Sequence, residues 1–235
     1  KEIVLYGRQG NKLPVVAKFC QRLIDRSGFP TKIIPTTELK PAVTGARYII
    51  NHVRVGGMPA RVRDEKLPPK QGMIGDESLG AGGFANAMRT LPVVLQLAAT
   101  IEEVNPGAVL INLTNPMGVV VQALIKHTKL NVLGVCDLPG TTVKNIASIL
   151  RHDPAQMQVD YIGLNHFGWI QDVKIDGRSH MTRLLERLEH ETGDGLDNGL
   201  IELFRMIHLR PVSLFFHQDD ILKRLLGERA VAGGV

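Results

Sequence analysis

Short apolar segments alternate with longer amphipathic segments along most of this chain, and this alternation restricts the fold more than any other feature. Apolar runs of four to eight residues are typical of strands, and apolar positions recurring at helical spacing are typical of helices. The predicted strands are 2–6, 31–34, 46–53, 108–113, 131–135 and 159–164, and the predicted helices are 12–26, 84–104, 118–127 and 141–151. This order predicts an α/β fold with a doubly wound, mostly parallel, Rossmann-like sheet.

The character of the sequence changes after residue 177, where charge and helix propensity rise, as in LLERLEHE. We expect residues 1–177 to form a dinucleotide-binding type of domain. Residues 178–235 are expected to begin a second, α+β substrate or oligomerisation domain that is mostly helical and incomplete. The Gly/Pro-rich stretch 56–83 has no periodicity and is predicted to be a long loop, a feature that is usually functional or mobile.

Composition excludes several classes of protein. Hydrophobic residues make up 44% of the chain and the net charge is +5 (28 Lys+Arg less 23 Asp+Glu), so disorder is excluded. No charge-free apolar run reaches about 18 residues, so no membrane span is expected. Two cysteines, Cys20 and Cys136, make no disulfide framework, so we expect a reducing cytoplasm. Basic residues are scattered and aromatics are 5%, so no nucleic-acid partner is expected.

Three polar clusters follow predicted strands, at 112–116, 136–140 and 165–169. The carboxyl ends of parallel strands meet at one edge of a sheet, so we expect the clusters on one rim. The thiolate of Cys136 and the imidazole of His166 could bind a divalent transition metal together with oxygen ligands. Spacing alone leaves a second interpretation open, in which both are ordinary core residues. Asn115 before Pro116 could likewise be only turn chemistry.

The predicted loop brings arginines next to glycines. Arg54 precedes Gly56 and Gly57, and Arg61 follows a few residues later. Glycine allows close approach of the backbone to an anion, and guanidinium groups pair with phosphate or carboxylate. The alternative is a solvated charged loop.

The Gly-rich turn that binds pyrophosphate in a dinucleotide fold is not found in the sequence. No GxGxxG occurs, and the early glycine pair Gly7 and Gly10 is too short and lacks a third glycine. Two interpretations remain: the fold is not a dinucleotide fold, or this chain begins at its second strand.

Six short motifs occur together: RVGG (54–57), RDE (63–65), IGDES (74–78), NLTNPMG (112–118), GVCDLPG (134–140) and GLNHFGW (163–169). In this order and spacing they resemble glycoside hydrolase family 4, the NAD- and metal-dependent 6-phosphoglycosidases. The resemblance covers roughly residues 2–177. It favours the functional interpretation of Cys136 and His166 over the structural one.

The resemblance implies a reaction unlike that of glycosidases with two carboxylates. Bound nicotinamide would remove hydride from C3 of a 6-phosphorylated glucoside, and a divalent metal, expected to be Mn²⁺, would polarise the resulting ketone. A base would then remove the C2 proton, the aglycone would leave with help from an acid, water would add, and the hydride would return. A homodimer or homotetramer is also implied.

The resemblance also implies a role for individual residues. Cys136 and His166 would bind the metal, and Asp137 would be the acid and would also contact substrate. The other substrate-binding residues would be Arg61, Asn115 and Glu77. The cofactor-binding residues would be Gly7, Arg8, Arg54 and Asn112. An acidic residue normally binds the adenine ribose where Gly7 stands here. With Arg8 adjacent, NADP is as compatible as NAD.

Two features depart from the family pattern. We expect the first strand and its Gly-rich turn to precede Lys1. The tyrosine base should lie ahead of a helix beginning near Asp219, where this chain has PVSLFFH (211–217), and its three tyrosines are elsewhere, at Tyr6, Tyr48 and Tyr161. His217 could replace the base or be a surface histidine.

Three functions therefore remain. They are an active 6-phospho-α- or 6-phospho-β-glucosidase, a catalytically impaired relative that binds sugar phosphate and metal, and a 2-hydroxy-acid dehydrogenase. The last is least favoured, because its catalytic His–acid pair and substrate arginine occur at no characteristic spacing.

Overall fold

A computed structural model describes residues 1–8, 12–188 and 196–227 of the 235-residue chain. The strands are β1 Glu2–Tyr6, β2 Lys32–Thr36, β3 Tyr48–Asn51, β4 Val109–Asn112, β5 Asn131–Gly134, β6 Met157–Leu164, β7 Phe167–Ile175, β8 Arg178–Ser179 and β9 Ile207–His208. The helices are α1 Lys12–Ser27, α2 Leu39–Val43, α3 Gly57–Lys66, α4 Gly80–Val104, α5 Met117–His127, α6 Leu138–Leu150, α7 Met181–Leu188, α8 Asn198–Phe204, α9 Ser213–Phe216 and α10 Gln218–Leu226. Short 3₁₀ helices lie at Pro68–Gln71, Pro154–Gln156 and Arg210–Val212.

The chain divides into two compact units, the first made of residues 1–61 and 83–135. Its strands are all parallel: β1 pairs with β2, and β3, β4 and β5 form a second sheet in that order. Helices alternate with these strands along the chain. The predicted α/β fold with parallel, Rossmann-like sheets is confirmed.

The core of the first unit is built on α4. Val94, Ala98 and Ile101, spaced one helical turn apart, are fully buried in one cluster with Leu110 of β4 and Leu124 of α5. Burying a side chain such as Ile101 or Leu110 contributes about 1.5–3 kcal/mol. By length and composition, α4 is the one described helix that could cross a membrane, and this buried stripe packs within the first unit.

The second unit comprises residues 62–82 and 136–235, as far as they are described. Its sheet is antiparallel: β6 and β7 form a hairpin, and both β8 and β9 pair with β7. Apolar side chains of α6, β7 and α7 form its main core, including Leu150, Ile170, Val173 and Leu184.

The predicted loop at 56–83 is wrong. It contains α3, a 3₁₀ helix and the start of α4. The α3 sequence, GMPARVRDEK, is too polar to show an apolar stripe, and its early Pro59 is tolerated in a first helical turn. The glycines that suggested a loop allow close packing instead: a Cβ at Gly75 would lie 1.8 Å from the carbonyl oxygen of Glu65, and one at Gly82 would lie 2.6 Å from that of Asp64.

The other predicted strands and helices are confirmed to within a few residues at their ends. The division of the chain into domains at residues 177 and 178 stays a prediction. Residues 189–191 of the predicted helical segment and the Gly-rich end lie outside the described residues.

Candidate active site

Cys136 and His166, the predicted metal ligands, lie side by side in the second unit. The Cys136 Sγ is 3.5 Å from the His166 Nε2, although 30 residues separate them in sequence. Cys136 immediately precedes Asp137, the N-cap residue of α6, and His166 lies in the tight turn between β6 and β7. The structure brings the two residues into contact, and their role as metal ligands stays a prediction.

The predicted common rim, however, is wrong for His166. β6 pairs antiparallel with β7, so His166 lies in a hairpin turn and not at the end of a parallel strand. The segment before His166, VDYIGL, is as apolar as a strand of a parallel sheet, and composition alone does not distinguish parallel from antiparallel pairing. Cys136 does follow a parallel strand, β5.

Two glycines give the hairpin its shape. Gly163 has a φ of +102°, and a Cβ there would lie 2.6 Å from the carbonyl oxygen of Phe167. A Cβ at Gly168 would lie 1.8 Å from the hydroxyl of Tyr161. That hydroxyl donates a hydrogen bond of 2.7 Å to the carbonyl oxygen of Leu164, just before the turn. The glycines of GLNHFGW therefore serve the turn that presents His166.

Tyr161 lies on β6, in the same hairpin as His166, and its hydroxyl acts as a hydrogen-bond donor. Burial raises the pKa of its hydroxyl, and the negative charge of Cys136 raises it further. The hydroxyl also donates to Leu164, which favours its protonated form. Its hydrogen bond to Leu164 helps to position the hairpin.

The spacing of Cys136 and His166 fits joint coordination of one divalent ion. With metal–sulfur and metal–nitrogen bonds of about 2.3 and 2.0–2.1 Å, two ligands at angles between 90° and 109° lie about 3.1–3.6 Å apart. Among the described residues no group of three or more His, Cys, Asp or Glu side chains gathers to hold a metal. Cys136 and His166 are therefore a candidate pair of metal ligands and not a complete coordination shell.

Asp137, the predicted acid, is exposed beside Cys136. Its side chain makes no capping hydrogen bond to α6, while its carbonyl oxygen accepts from the Thr141 N–H at 2.8 Å. The carboxyl group is therefore not used by the helix. Its role as acid stays a prediction.

Other predicted residues lie in the first unit. Asn112 ends β4 and is fully buried; its Oδ1 accepts from Asn51 Nδ2 at 2.8 Å, and its Nδ2 donates to the carbonyl oxygen of Thr114 at 3.0 Å. Asn115 follows in a cis peptide bond with Pro116, and its carbonyl oxygen accepts from Asn86 Nδ2 at 3.0 Å. These contacts form a polar end to the parallel sheet.

Asn51 is a residue that the sequence reasoning missed. It ends β3, in register with Asn112 on β4, and is 1% exposed. Its Oδ1 is a buried oxygen with no hydrogen-bond partner among the described residues. Its place at the end of a predicted strand, matching Asn112, was a signal that could have identified it.

The remaining predicted cofactor and substrate residues are spread over several elements. In the first unit, the Gly7 N–H donates to the carbonyl oxygen of Thr36 at 3.2 Å, and Arg8 and Arg54 are exposed. Arg61, in the same unit, is half-buried in α3. Glu77, in the second unit, is half-buried. Their cofactor and substrate roles stay predictions.

A second polar pair, His217 and Asp197, lies in the second unit. The His217 Nε2 hydrogen-bonds to the Asp197 Oδ2, and the Asp197 Oδ1 caps α8 by accepting from the Leu200 N–H at 3.1 Å. Burial raises the pKa of the Asp197 carboxyl, but the hydrogen bond from His217, the backbone hydrogen bonds and the His217 charge together lower the pKa below its ordinary value. Asp197 was not predicted, because its partner is 20 residues away.

Parallel strand–helix units, followed by an antiparallel hairpin whose His166 contacts Cys136 ahead of α6, define an α/β protein with a candidate metal site. The sequence model of family 4 glycosyl hydrolases matches residues 1–152. The chain belongs to this family.

Relatives agree with this assignment. The chain is 34% identical to the 6-phospho-beta-glucosidase of Escherichia coli K12 over 92% of its own length and 51% of the relative's. A 6-phospho-beta glucosidase structure from Thermotoga maritima, with manganese, NAD⁺ and glucose-6-phosphate, has a TM-score of 0.87 at 25% identity and covers 97% of this chain and 55% of that one. A 6-phospho-alpha-glucosidase structure from gut microorganisms, with NAD and glucose-6-phosphate, has a TM-score of 0.83 at 26% identity, over 97% of this chain and 57% of that one. The chain thus spans about half the length of these relatives.

Proposed function

We propose that this chain provides the metal and sugar-phosphate site of an NAD- and divalent-metal-dependent glycosidase that hydrolyses 6-phosphorylated glucosides. The observation that carries the proposal is the 3.5 Å separation of Cys136 Sγ and His166 Nε2. The relatives' bound manganese, NAD⁺ and glucose-6-phosphate support the same chemistry.

The metal would be held by Cys136 and His166 and would act as a Lewis acid on an oxidised sugar carbon. Asp137, which is exposed next to Cys136, is proposed to donate a proton to the leaving group. Arg61, Asn115 and Glu77 are proposed to contact the sugar phosphate. Gly7, Arg8, Arg54 and Asn112 are proposed to contact NAD or NADP.

The test is release of nitrophenol from nitrophenyl 6-phospho-α- and 6-phospho-β-glucosides, with Mn²⁺ and NAD⁺ each added or omitted. We expect turnover only with both additives, and the faster anomer identifies the substrate. Cys136→Ser should lower Mn²⁺ affinity by at least about 100-fold and abolish turnover. Cys20→Ser, a substitution in α1 of the first unit, is the matched control and should leave both unchanged. Unchanged Mn²⁺ binding in Cys136→Ser would refute the ligand assignment.

A second candidate is a relative that binds sugar phosphate and metal without turnover. It is favoured by the phenylalanines Phe215 and Phe216 in the segment where the family resemblance expects a tyrosine. Binding of glucose 6-phosphate that depends on Mn²⁺, with no nitrophenol release from either anomer, would establish this candidate.

We further propose a cytoplasmic enzyme that forms a homodimer or homotetramer. Light scattering coupled to size-exclusion chromatography measures the assembly directly, and a monomeric mass at micromolar concentration would refute the oligomer.

A further inference from the structure

A histidine–carboxylate pair lies in the same unit as the Cys136–His166 pair. The His217 Nε2 is bonded to the Asp197 carboxylate, and the His217 side chain is 45% exposed while that of Asp197 is 18% exposed. Among the described residues no hydrogen bond involves the His217 Nδ1. The ring is thus held at Nε2, and nearly half of the side chain is exposed.

Asp197 makes other hydrogen bonds besides the one to His217. Its Oδ1 caps α8 through the Leu200 N–H, and its own N–H donates to His208 Nε2 at 2.7 Å. His208 is fully buried, and its Nδ1 lies 2.9 Å from the carbonyl oxygen of Leu209. Because His208 Nε2 accepts a hydrogen bond from the backbone N–H of Asp197, Nδ1 must carry the ring's hydrogen, and it donates a hydrogen bond to the carbonyl oxygen of Leu209. A carboxylate held in this way can orient an imidazole.

Contacts between neighbouring residues connect the His217–Asp197 pair to the hairpin that carries His166. Trp169, three residues after His166, pairs with His208 in the sheet, and their rings meet edge to face with centroids 5.7 Å apart. Phe167, the next residue after His166, packs edge to face on Phe215 with centroids 4.7 Å apart. Phe215 is two residues from His217.

The segment that carries Cys136 packs against the same cluster. Leu138, two residues after Cys136, and Trp169 both pack on the buried cluster of Leu200, Leu209 and Val212. That cluster joins α8, which Asp197 caps, to the 3₁₀ helix that precedes α9 and His217. The Cys–His pair and the His–Asp pair are therefore supported by one continuous set of contacts.

The ionic states suit proton transfer. The pKa of the Asp197 carboxyl lies below its ordinary value, so Asp197 is ionised near neutral pH and accepts the hydrogen of His217 Nε2. With Nε2 bonded to the Asp197 carboxylate, Nδ1 is the ring nitrogen left to take up a proton when the imidazole is neutral, which is the arrangement by which a carboxylate orients a histidine base. The hydroxyl of Tyr161, in contrast, donates to the carbonyl oxygen of Leu164.

We propose that His217, oriented by Asp197, is the base that removes the proton from the carbon next to the ketone of the oxidised sugar phosphate. In this step the C2–H bond breaks and the proton moves to His217 Nδ1. The electron pair forms a C2–C3 double bond as the ketone oxygen becomes an enolate. The inference rests on the proposed function, in which the nicotinamide cofactor is the oxidant that makes the ketone.

The test supplies the ketone directly, so that it depends neither on cofactor binding nor on the oxidation step. The 235-residue chain is mixed with 3-keto-glucose 6-phosphate and Mn²⁺ in D₂O, and deuterium at C2 is measured by NMR against the reaction without protein. His217→Asn should lower the protein-dependent exchange rate by about 100-fold or more, the usual contribution of a general base. His152→Asn, a change at another exposed histidine, is the matched control and should leave it unchanged.

Asp197→Asn tests the positioning role. Asparagine retains the helix cap but cannot accept the imidazole hydrogen as a carboxylate does, so the exchange rate should fall by at least about tenfold with the fold intact. ¹⁵N NMR of the His217 ring, without metal or sugar, should show hydrogen on Nε2 and a bare Nδ1, and this preference should weaken in Asp197→Asn.

The outcomes separate the two proposals. Mn²⁺ binding, followed by electron paramagnetic resonance, should be equal in wild type and His217→Asn; its absence in wild type would refute the metal site of the proposed function. Exchange in His217→Asn within threefold of wild type, or hydrogen on His217 Nδ1 in wild type, would overturn the inference even where Mn²⁺ binds. Wild-type protein that binds Mn²⁺ but does not accelerate exchange would overturn it as well.

Discussion

The phenol of Tyr161 lies over Gly168, where a Cβ would come within 1.8 Å of its hydroxyl oxygen. Tyr161 lies on β6 opposite Ile170, so its ring crosses diagonally to Gly168 on β7, and the same hydroxyl donates to Leu164 beside the turn. This contact couples the glycine of the GLNHFGW motif to the residue that presents His166. The turn that presents His166 therefore requires a residue without a side chain at position 168.

Gly168→Ala should disturb the candidate metal ligand without removing it. The added methyl group displaces the Tyr161 ring, breaks its bond to Leu164 and costs about 1–3 kcal/mol of unfolding free energy. We expect a lower urea midpoint together with weaker Mn²⁺ binding. Gly118→Ala is the control, because a Cβ there meets no atom within 4 Å and lies in helix α5. A Gly168→Ala variant with wild-type stability and affinity would contradict the prediction.

His166 has a left-handed backbone, and replacing it separates its metal role from its backbone cost. Its φ of +66° is disfavoured for any residue with a Cβ, by about 1–2 kcal/mol. His166→Gly and His166→Ala should both lose Mn²⁺ affinity, because both lack the imidazole. His166→Gly should be the more stable of the two by about 1 kcal/mol in urea unfolding, since glycine adopts this conformation without strain. Equal stability of the two variants would show that the turn is not strained.

The regular elements were predictable because their apolar period is visible within ten residues of sequence. The strand β1 was predicted at its observed bounds, and α4 was found from its apolar positions. The helix α3 was missed because its fully buried Ala60 is a small residue among charged ones. Glycines such as Gly75 indicated a loop but serve tight packing against Glu65, a contact between segments that no local pattern records.

The candidate site divides in the same way. Cys136 and His166 were predicted because their chemistry and motif are local, and the structure places them in contact. The pairing of His217 with Asp197, and of Asn51 with Asn112, depends on how distant segments fold together. Sequence reasoning named His217 and Asn112 but not their partners, because which residues pair depends on the three-dimensional fold and not on their separation in the sequence.

Asn51 and Asn112 form a buried pair whose removal should be non-additive. Asn51→Ala leaves Asn112 Oδ1 without its donor, and each single substitution should cost about 1–3 kcal/mol of unfolding free energy. The double variant Asn51→Ala with Asn112→Ala should lose less unfolding free energy than the sum of the two single variants, because each single substitution already removes the hydrogen bond between them. Urea unfolding of all four proteins measures the coupling. A double variant that equals the sum would show that the two side chains do not stabilise each other.

Asp197 should make stability depend on pH in the acid range. Burial raises the pKa of its carboxyl, but the hydrogen bond from His217, the backbone hydrogen bonds and the His217 charge lower the pKa more. A carboxyl whose folded pKa lies below its unfolded value contributes stability that is present above about pH 4 and is lost as the pH falls through the folded pKa. Wild type should therefore lose more unfolding free energy than Asp197→Asn between pH 6 and pH 2.

The measurement is urea unfolding at half-unit pH steps for wild type, Asp197→Asn and His217→Asn. The difference between wild type and Asp197→Asn should shrink below about pH 4, because the Asp197 carboxylate is protonated there while asparagine has no proton to gain. His217→Asn keeps the bond from the Leu200 N–H to Asp197, so its acid-range loss should be intermediate. A wild-type profile parallel to that of Asp197→Asn down to pH 2 would mean that the Asp197 carboxylate is not stabilised by His217 and could not orient it as a base.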